Sequence, residues 1–105
     1  MVANPREKRR APRFPVYFTT EYESEERRGS GITKTLSRVG AWVGETTQPV
    51  PVGERLRIRV SAFVGSFATP LAARVVGVAS DGFAVEFGDL GPAEHEILSR
   101  ALSAA

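Results

Sequence analysis

Apolar and polar residues alternate along several short segments of the chain, the pattern of strands that bury one face and expose the other. Segment 54–63 shows it most clearly, with apolar residues on one side (Leu56, Ile58, Val60, Ala62) and polar residues on the other (Arg55, Arg57, Arg59, Ser61). Residues 14–18 repeat the alternation, so Phe14, Val16 and Phe18 are expected to lie on the core, and further strands are expected at about 27–36, 41–44, 70–79 and 82–88. Short strands of this spacing predict a barrel or a sandwich.

Turn residues separate the expected strands. Glycine or proline occurs at 29–31, 49–53 and 64–66, between the apolar segments. Asp81 and Gly82 form a dipeptide typical of a tight hairpin, so the segments on either side of them are expected to pair as antiparallel neighbours.

The C-terminal segment has a helical rather than a strand period. Pro92 suits the first turn of a helix, and Glu94 and Glu96 place negative charge near the positive end of the helix dipole. The apolar residues that follow form one stripe (Ile97, Leu98, Ala101, Leu102). This pattern predicts a short amphipathic helix at about 92–103 that closes one end of the barrel.

The composition narrows the class of protein. A chain of 105 residues is expected to form one domain, and the absence of cysteine excludes disulfides and thiolate metal sites. No apolar stretch approaches the roughly 20 residues that span a bilayer. We therefore expect a soluble cytoplasmic domain without membrane insertion.

The net charge of +2 is unevenly distributed. Residues 1–13 hold five Lys or Arg against one acid, a net charge of +4, so the other 92 residues sum to −2. A flexible basic arm at 1–13, followed by a barrel domain at 14–105, favours a localised anion site over a surface for long nucleic acid. A merely solvated basic tail is the alternative that composition leaves open.

Residues suited to catalysis are few. His95, the only histidine, lies between two glutamates on the expected helix, which is typical of a surface position. The acidic residues at 21–26 lie at the expected end of a hairpin and match no metal-binding spacing. We therefore expect a binding module and not an enzyme.

The basic arm has the chemistry of an anion site. Pro12 and Pro15 stiffen the chain around Arg13, so Arg9 and Arg13 are positioned to contact one ligand together. A guanidinium group donates paired hydrogen bonds to phosphate oxygens or to the O6/N7 edge of guanine, and its plane stacks on a base. Lys8 and Arg10 are expected to contribute auxiliary charge.

A second motif follows at 35–40, Thr-Leu-Ser-Arg-Val-Gly. An Arg-x-x-x-Arg pair followed at this distance by x-x-Ser-x-x-Gly resembles the PilZ domain family, the bacterial receptor modules for cyclic di-GMP. Segments 52–58 and 73–87 also resemble the glycine-led strand and the closing hairpin of that family. Arg6 and Arg10 share the arginine spacing, but the family's second arginine lies shortly before the first strand, which selects Arg9 and Arg13.

The resemblance implies both a fold and a site. The fold is a six-stranded antiparallel β-barrel with a C-terminal helix, and cyclic di-GMP is held between the arm and the serine-containing bend, with no other cofactor. Arg9 and Arg13 would hold phosphates and contact guanine, while Ser37 and Gly40 would shape the base pocket. Lys8, just ahead of the first motif arginine, leaves open whether the ligand binds as a stacked dimer.

One position departs from the family pattern, since Thr35 stands where the family has Asp or Asn. Loss of one charge-assisted hydrogen bond costs about 1.5–3 kcal/mol, so affinity is expected to fall roughly 10- to 150-fold. Because Thr35 still donates and accepts a hydrogen bond, weakened binding is expected rather than none.

These observations favour a cyclic di-GMP receptor whose arm becomes ordered on binding and whose altered surface is read by an unidentified protein partner, in motility or surface behaviour. The alternative is a protein-interaction adaptor of the same fold that has lost the nucleotide, as Thr35 suggests. A third, less favoured class is a nucleic-acid-binding barrel with Tyr17, Phe18 and Trp42 as stacking groups. Trp42 is otherwise expected to pack in or beside the barrel.

Overall fold

The computed structural model describes residues 12–61 and 70–103, which form a closed antiparallel barrel of six strands with one C-terminal helix. The elements are β1 (Phe14–Glu23), β2 (Arg28–Leu36), β3 (Gly40–Gly44), β4 (Arg55–Val60), β5 (Leu71–Ala79), β6 (Gly82–Phe87) and α1 (Pro92–Ser103). Around the barrel the order is β1, β2, β3, β6, β5 and β4, and β4 pairs again with β1. The expected fold class is confirmed; the basic arm up to residue 11, the end of the fourth strand at 62–63 and the turn at 64–66 lie outside the described residues.

The interior follows from the alternation in the sequence. In β4 the side chains of Leu56, Ile58 and Val60 are buried, whereas Arg55 and Arg57 are exposed. The core inside the barrel is centred on Tyr22 and Phe83, whose rings meet edge to face with centroids 4.9 Å apart. Burial of this apolar surface is the main term that stabilises the barrel.

Strand β1 continues five residues beyond the expected 14–18 segment, to Glu23. Val16 and Phe18 pack against the core, but Phe14 is 41% exposed, so the expectation that it lies on the core is wrong. Phe14 is the first residue of the strand and lies at the end of the barrel, where a side chain has few neighbours. The strand is instead anchored further along by Thr20 and Tyr22, which are 0% and 1% exposed.

A buried hydroxyl pair joins β1 to β2. The Thr20 hydroxyl donates to the Phe18 carbonyl at 2.8 Å and lies 2.6 Å from the Thr33 hydroxyl. Because a hydroxyl carries one proton, Thr33 donates to Thr20. The Thr20 oxygen also accepts the backbone N–H of Thr33 at 3.2 Å. Thr20 therefore satisfies three polar groups near the shift in register between Pro15 and Phe18.

The regular pairing of β2 is interrupted at Lys34 on both sides. Towards β1, pairing passes from Pro15 opposite Thr35 to Phe18 opposite Thr33. Towards β3, Thr33 and Thr35 pair with successive residues, which leaves Lys34 without a partner. Such bulges break the alternation of side chains, and between buried Thr33 and Leu36 two consecutive residues are only half-buried.

Helix α1 closes one end of the barrel. Leu98 and Ala101 are each 2% exposed and form a second apolar cluster with Leu36, against which Val16 and Phe87 also pack. The turn from β2 to β3 lies at this same end of the barrel, because Leu36 is the last residue of β2. Within residues 12–61 and 70–103, no helix is long and apolar enough to cross a membrane.

The hydroxyl pair predicts unequal effects of two isosteric changes. Thr20→Val leaves the Phe18 carbonyl and the Thr33 N–H and hydroxyl without their partner, so it should lower the free energy of unfolding by about 1–3 kcal/mol. Thr33→Val leaves no buried group unsatisfied and should cost under about 1 kcal/mol. Urea unfolding measures both, and equal losses would contradict this account of the pair.

Candidate functional site at the turn between β2 and β3

Ser37 builds the turn that links β2 to β3. Its backbone N–H donates to the Gly40 carbonyl at 2.9 Å, and its hydroxyl oxygen accepts the N–H groups of Val39 and Gly40, each at 3.1 Å. The side chain is 3% exposed. The serine of the predicted motif therefore holds the turn through local hydrogen bonds to the backbone, and its oxygen faces inward.

Gly40 is required by the pairing of β3 with β6. A Cβ atom at this position would lie 2.3 Å from the carbonyl oxygen of Val85, a contact that backbone atoms cannot relieve. Gly40 is the Cα partner of Glu86, and the neighbouring Val39 carbonyl accepts the N–H of Phe87 at 2.8 Å. The close approach that this glycine permits is made by strand β6.

The turn exposes two residues to solvent. Arg38 is exposed, and Val39 is 52% exposed. Sequence patterns do not single out Arg38 because it occupies a variable position of the motif. The sequence does show a basic residue between the serine and the glycine, but only the structure shows that this side chain is exposed. Arg38 adds a guanidinium group to the predicted site.

Thr35 and Arg13 lie at the same end of the barrel as the turn. Thr35 is half-buried in β2, between its partners Pro15 on β1 and Trp42 on β3. Arg13 is exposed and immediately precedes Phe14, which pairs with Leu36 at the end of β2. The structure thus brings Arg13, Thr35, Ser37 and Gly40 together. Arg9, Arg10 and Lys8 lie outside the described residues, and their predicted roles stay predictions.

A further cation lies beside Thr35. The ammonium of Lys34 is 2.6 Å from a carboxylate oxygen of Glu45 and 5.9 Å from the ring centroid of Tyr17. The hydrogen bond that the ammonium of Lys34 donates to Glu45 raises the pKa of Lys34 above its ordinary value of 10.5, opposed by a smaller effect of desolvation. Lys34 is therefore fully charged at neutral pH. Its place in the site depends on the two bulges, which sequence patterns do not reveal.

The opposite wall of the barrel carries a separate basic face. Arg55, Arg57 and Arg74 line an open groove of about 580 Å³ on β4 and β5, together with Asp89. Arg55 and Arg74 are direct cross-strand partners, an arrangement of like charges that destabilises a sheet. Since β4 and β5 lie across the closed barrel from β3 and β2, this arginine face is separate from the turn.

The described residues show no metal centre. In the parts of the chain at 12–61 and 70–103, no group of three or more His, Asp or Glu side chains is arranged to hold an ion. The side chains around the turn offer guanidinium, ammonium, hydroxyl and aromatic groups, which suit the binding of a phosphate-containing ligand with bases.

Comparison with known proteins identifies the family. The chain matches the family model described as PilZ domain over residues 7–104. It belongs to the PilZ domain family, whose members are receptor modules for cyclic di-GMP and act by binding rather than by catalysis. No curated protein sequence matches the chain significantly.

Two solved structures resemble the barrel at low sequence identity. The PilZ domain of CeSA from a cellulose-synthesising bacterium superposes with a TM-score of 0.70 at 18% identity, covering 85% of this chain and 92% of that one. The Bacillus subtilis inhibitor of motility, MotI/DgrA, gives a TM-score of 0.66 at 16% identity, covering 95% of this chain and 55% of that one. At these identities the likeness shows a shared fold.

The turn geometry predicts that the two motif residues act on stability. Gly40→Ala should lower the free energy of unfolding by about 1–3 kcal/mol, because the new methyl group forces β3 away from β6. Ser37→Ala should cost about 1 kcal/mol through loss of its hydrogen bonds. Gly77→Ala is the matched control, since a Cβ there meets only Ala84 at an ordinary 3.8 Å. Thermal or urea unfolding distinguishes them, and a neutral Gly40→Ala would show that the close approach is not limiting.

Proposed function

We propose that this protein is a cyclic di-GMP receptor that binds its ligand at the barrel end formed by Arg13, Thr35 and the turn between β2 and β3. The observation that carries the proposal is the position of Arg13, which the pairing of Phe14 with Leu36 brings beside the residue that precedes Ser37. Arg9 is four residues before Arg13 in the sequence, so the chain that carries it leads into β1 at this end of the barrel. Family membership supplies the ligand class.

The residues divide into those that bind and those that support. Arg9 and Arg13 hold the phosphates and contact guanine, with Lys8 and Arg10 adding charge. Arg38, exposed on the turn, supplies a further donor for phosphate or for the guanine edge. Ser37 and Gly40 support the site by fixing the turn, so their effect on affinity is indirect.

Ligand binding at this end of the barrel offers a mechanism for signalling to a protein partner. A ligand that contacts both the arm and the turn fixes the arm against the barrel, which creates a surface that the free protein lacks. A protein partner then reads that surface. The resemblance to a motility inhibitor favours motility or surface behaviour as the process, in the cytoplasm.

A second candidate function is a protein-interaction adaptor that binds no nucleotide. Two observations favour it: Thr35 lacks the carboxylate or amide typical of the family, and the arginine face on β4 and β5 offers a basic groove across the barrel from the turn. Its three arginines suit an acidic partner surface. The receptor is preferred because both motif arginines are present.

Removal of the two motif arginines tests the receptor directly. Arg9→Ala combined with Arg13→Ala should weaken cyclic di-GMP binding at least about 100-fold, because two charge-assisted contacts are lost. The matched control is Arg28→Ala combined with Arg100→Ala, which removes two exposed arginines from other surfaces, 84% and 65% exposed. Calorimetric titration of both proteins decides the matter. Unchanged affinity in the first variant would sink the proposal.

Restoring a carboxylate at position 35 separates the receptor from the adaptor. Thr35→Asp should raise the affinity for cyclic di-GMP about tenfold or more, since an ionised acceptor replaces a hydroxyl opposite the base. Thr35→Val, which keeps the shape and removes the hydroxyl, is the control and should weaken binding. If neither change alters an already undetectable binding, the adaptor is the better account.

A further inference from the structure

The outer face beside Thr35 carries a cluster that the family motifs do not include, formed by Tyr17, Lys34, Trp42 and Glu45 and named here the Lys34 platform. The bulges in the β1–β2 and β2–β3 pairings make Lys34 and Thr35 consecutive half-buried residues. Lys34 is therefore turned to the same outer surface as the predicted ligand contact. In a regular strand, consecutive side chains lie on opposite sides of the sheet, so Lys34 and Thr35 would not share a surface.

Trp42 and the Lys34 side chain meet over Gly44. A Cβ placed on Gly44 would lie at an ordinary contact distance of 3.4 Å from both the Lys34 Cε atom and the Trp42 Nε1 atom, so these two groups lie close together on the outer face. Trp42 is also the Cα partner of Thr35. An aromatic ring, an ammonium and the Thr35 hydroxyl position thus occupy adjacent places on one surface.

Glu45 holds the ammonium from a strained backbone. It has a φ of 52°, the only positive value among the non-glycine residues of the described parts of the chain. Such a conformation is unfavourable for a residue with a side chain and is concentrated at functional sites. Its ion pair with Lys34 is exposed, 55% on the Glu45 side and 38% on the Lys34 side, and exposed pairs add little stability. Stability alone does not account for this arrangement.

The paired charges match the edge of guanine. Guanine presents its O6 and N7 acceptors on one side and its N1 and N2 donors next to them, so a cation beside a carboxylate faces a complementary sequence of groups. Adenine has an amino donor in place of O6, which an ammonium cannot contact favourably. Tyr17, 70% exposed, and half-buried Trp42 supply the aromatic surfaces on which a base stacks.

We propose that the Lys34 platform reads one guanine of the ligand, with Lys34 donating to O6, Glu45 accepting from N1 and N2, and an aromatic ring of Tyr17 or Trp42 stacking on the base. The inference rests on the proposed function, because it assigns the base contact for the same ligand. Glu45, the residue that follows β3, thereby adds a carboxylate to the surface on which Thr35 offers only a hydroxyl. The platform thereby sets selectivity for guanine over adenine.

The test uses charge-neutral variants and a matched ion pair. Lys34→Met and Glu45→Gln should each weaken cyclic di-GMP binding about tenfold or more, and Lys34→Arg should retain most of the affinity. Arg100→Met and Glu96→Gln break another exposed pair, 3.0 Å in length, and should leave binding unchanged. Unfolding midpoints close to that of the unmodified protein verify that each variant is folded.

Two further measurements report on the base itself. Trp42 is the only tryptophan, so stacking of guanine beside it should change its fluorescence in the unmodified protein and much less in Lys34→Met. Cyclic di-inosine monophosphate lacks the N2 amino group. The unmodified protein should bind it less tightly than cyclic di-GMP, and Glu45→Gln should reduce that difference.

The outcomes separate the two proposals. If the unmodified protein binds cyclic di-GMP while Lys34→Met and Glu45→Gln bind it equally well, the platform is overturned and the receptor stands. If the unmodified protein gives neither heat nor a fluorescence change, both fail. Selective loss in the two platform variants, with no loss in the control pair, supports the platform.

Discussion

The close approach of β3 to β6 at Gly40 is the constraint on which the candidate site depends. A side chain there would collide with the Val85 carbonyl oxygen, so only glycine allows the first residue of β3 to pair beside β6. Ser37 makes this entry possible by accepting two N–H groups of the turn that would otherwise lack a partner. Ser37 and Gly40 together fix the direction in which the chain leaves β2. They therefore determine the surface on which Thr35 and Arg38 lie.

This arrangement separates support of the fold from recognition of a ligand. The serine and the glycine of the motif are needed for a stable barrel corner whether or not a nucleotide binds, so their presence reports the fold. Charged groups that are exposed or half-buried lie around them, on Arg13, Arg38 and the Lys34 platform. A chain of this fold can thus change its ligand chemistry at the surrounding positions without loss of the barrel.

Periodicity predicted the regular parts of the fold because a strand that buries one face must alternate. In β4 the inward residues are apolar and the outward residues are arginines, and the pattern is sufficient to assign it. Phe14 was misplaced because alternation does not indicate where a barrel ends. The bulges at Lys34 were not predictable, since they arise from the pairing of three strands and not from any one segment. For the same reason the motif identified Gly40 but not its structural role, which depends on Val85, 45 residues further along the chain.

Calorimetric titration of the unmodified protein with cyclic di-GMP, at moderate salt, shows whether the barrel is a receptor for this ligand. GTP and cyclic di-AMP serve as controls for guanine nucleotides in general and for cyclic dinucleotides in general. We predict micromolar or tighter binding of cyclic di-GMP alone, with a stoichiometry that distinguishes a single ligand from a stacked dimer. Absence of binding heat, with no displacement of a labelled ligand, would contradict this prediction and assign the barrel to protein interaction.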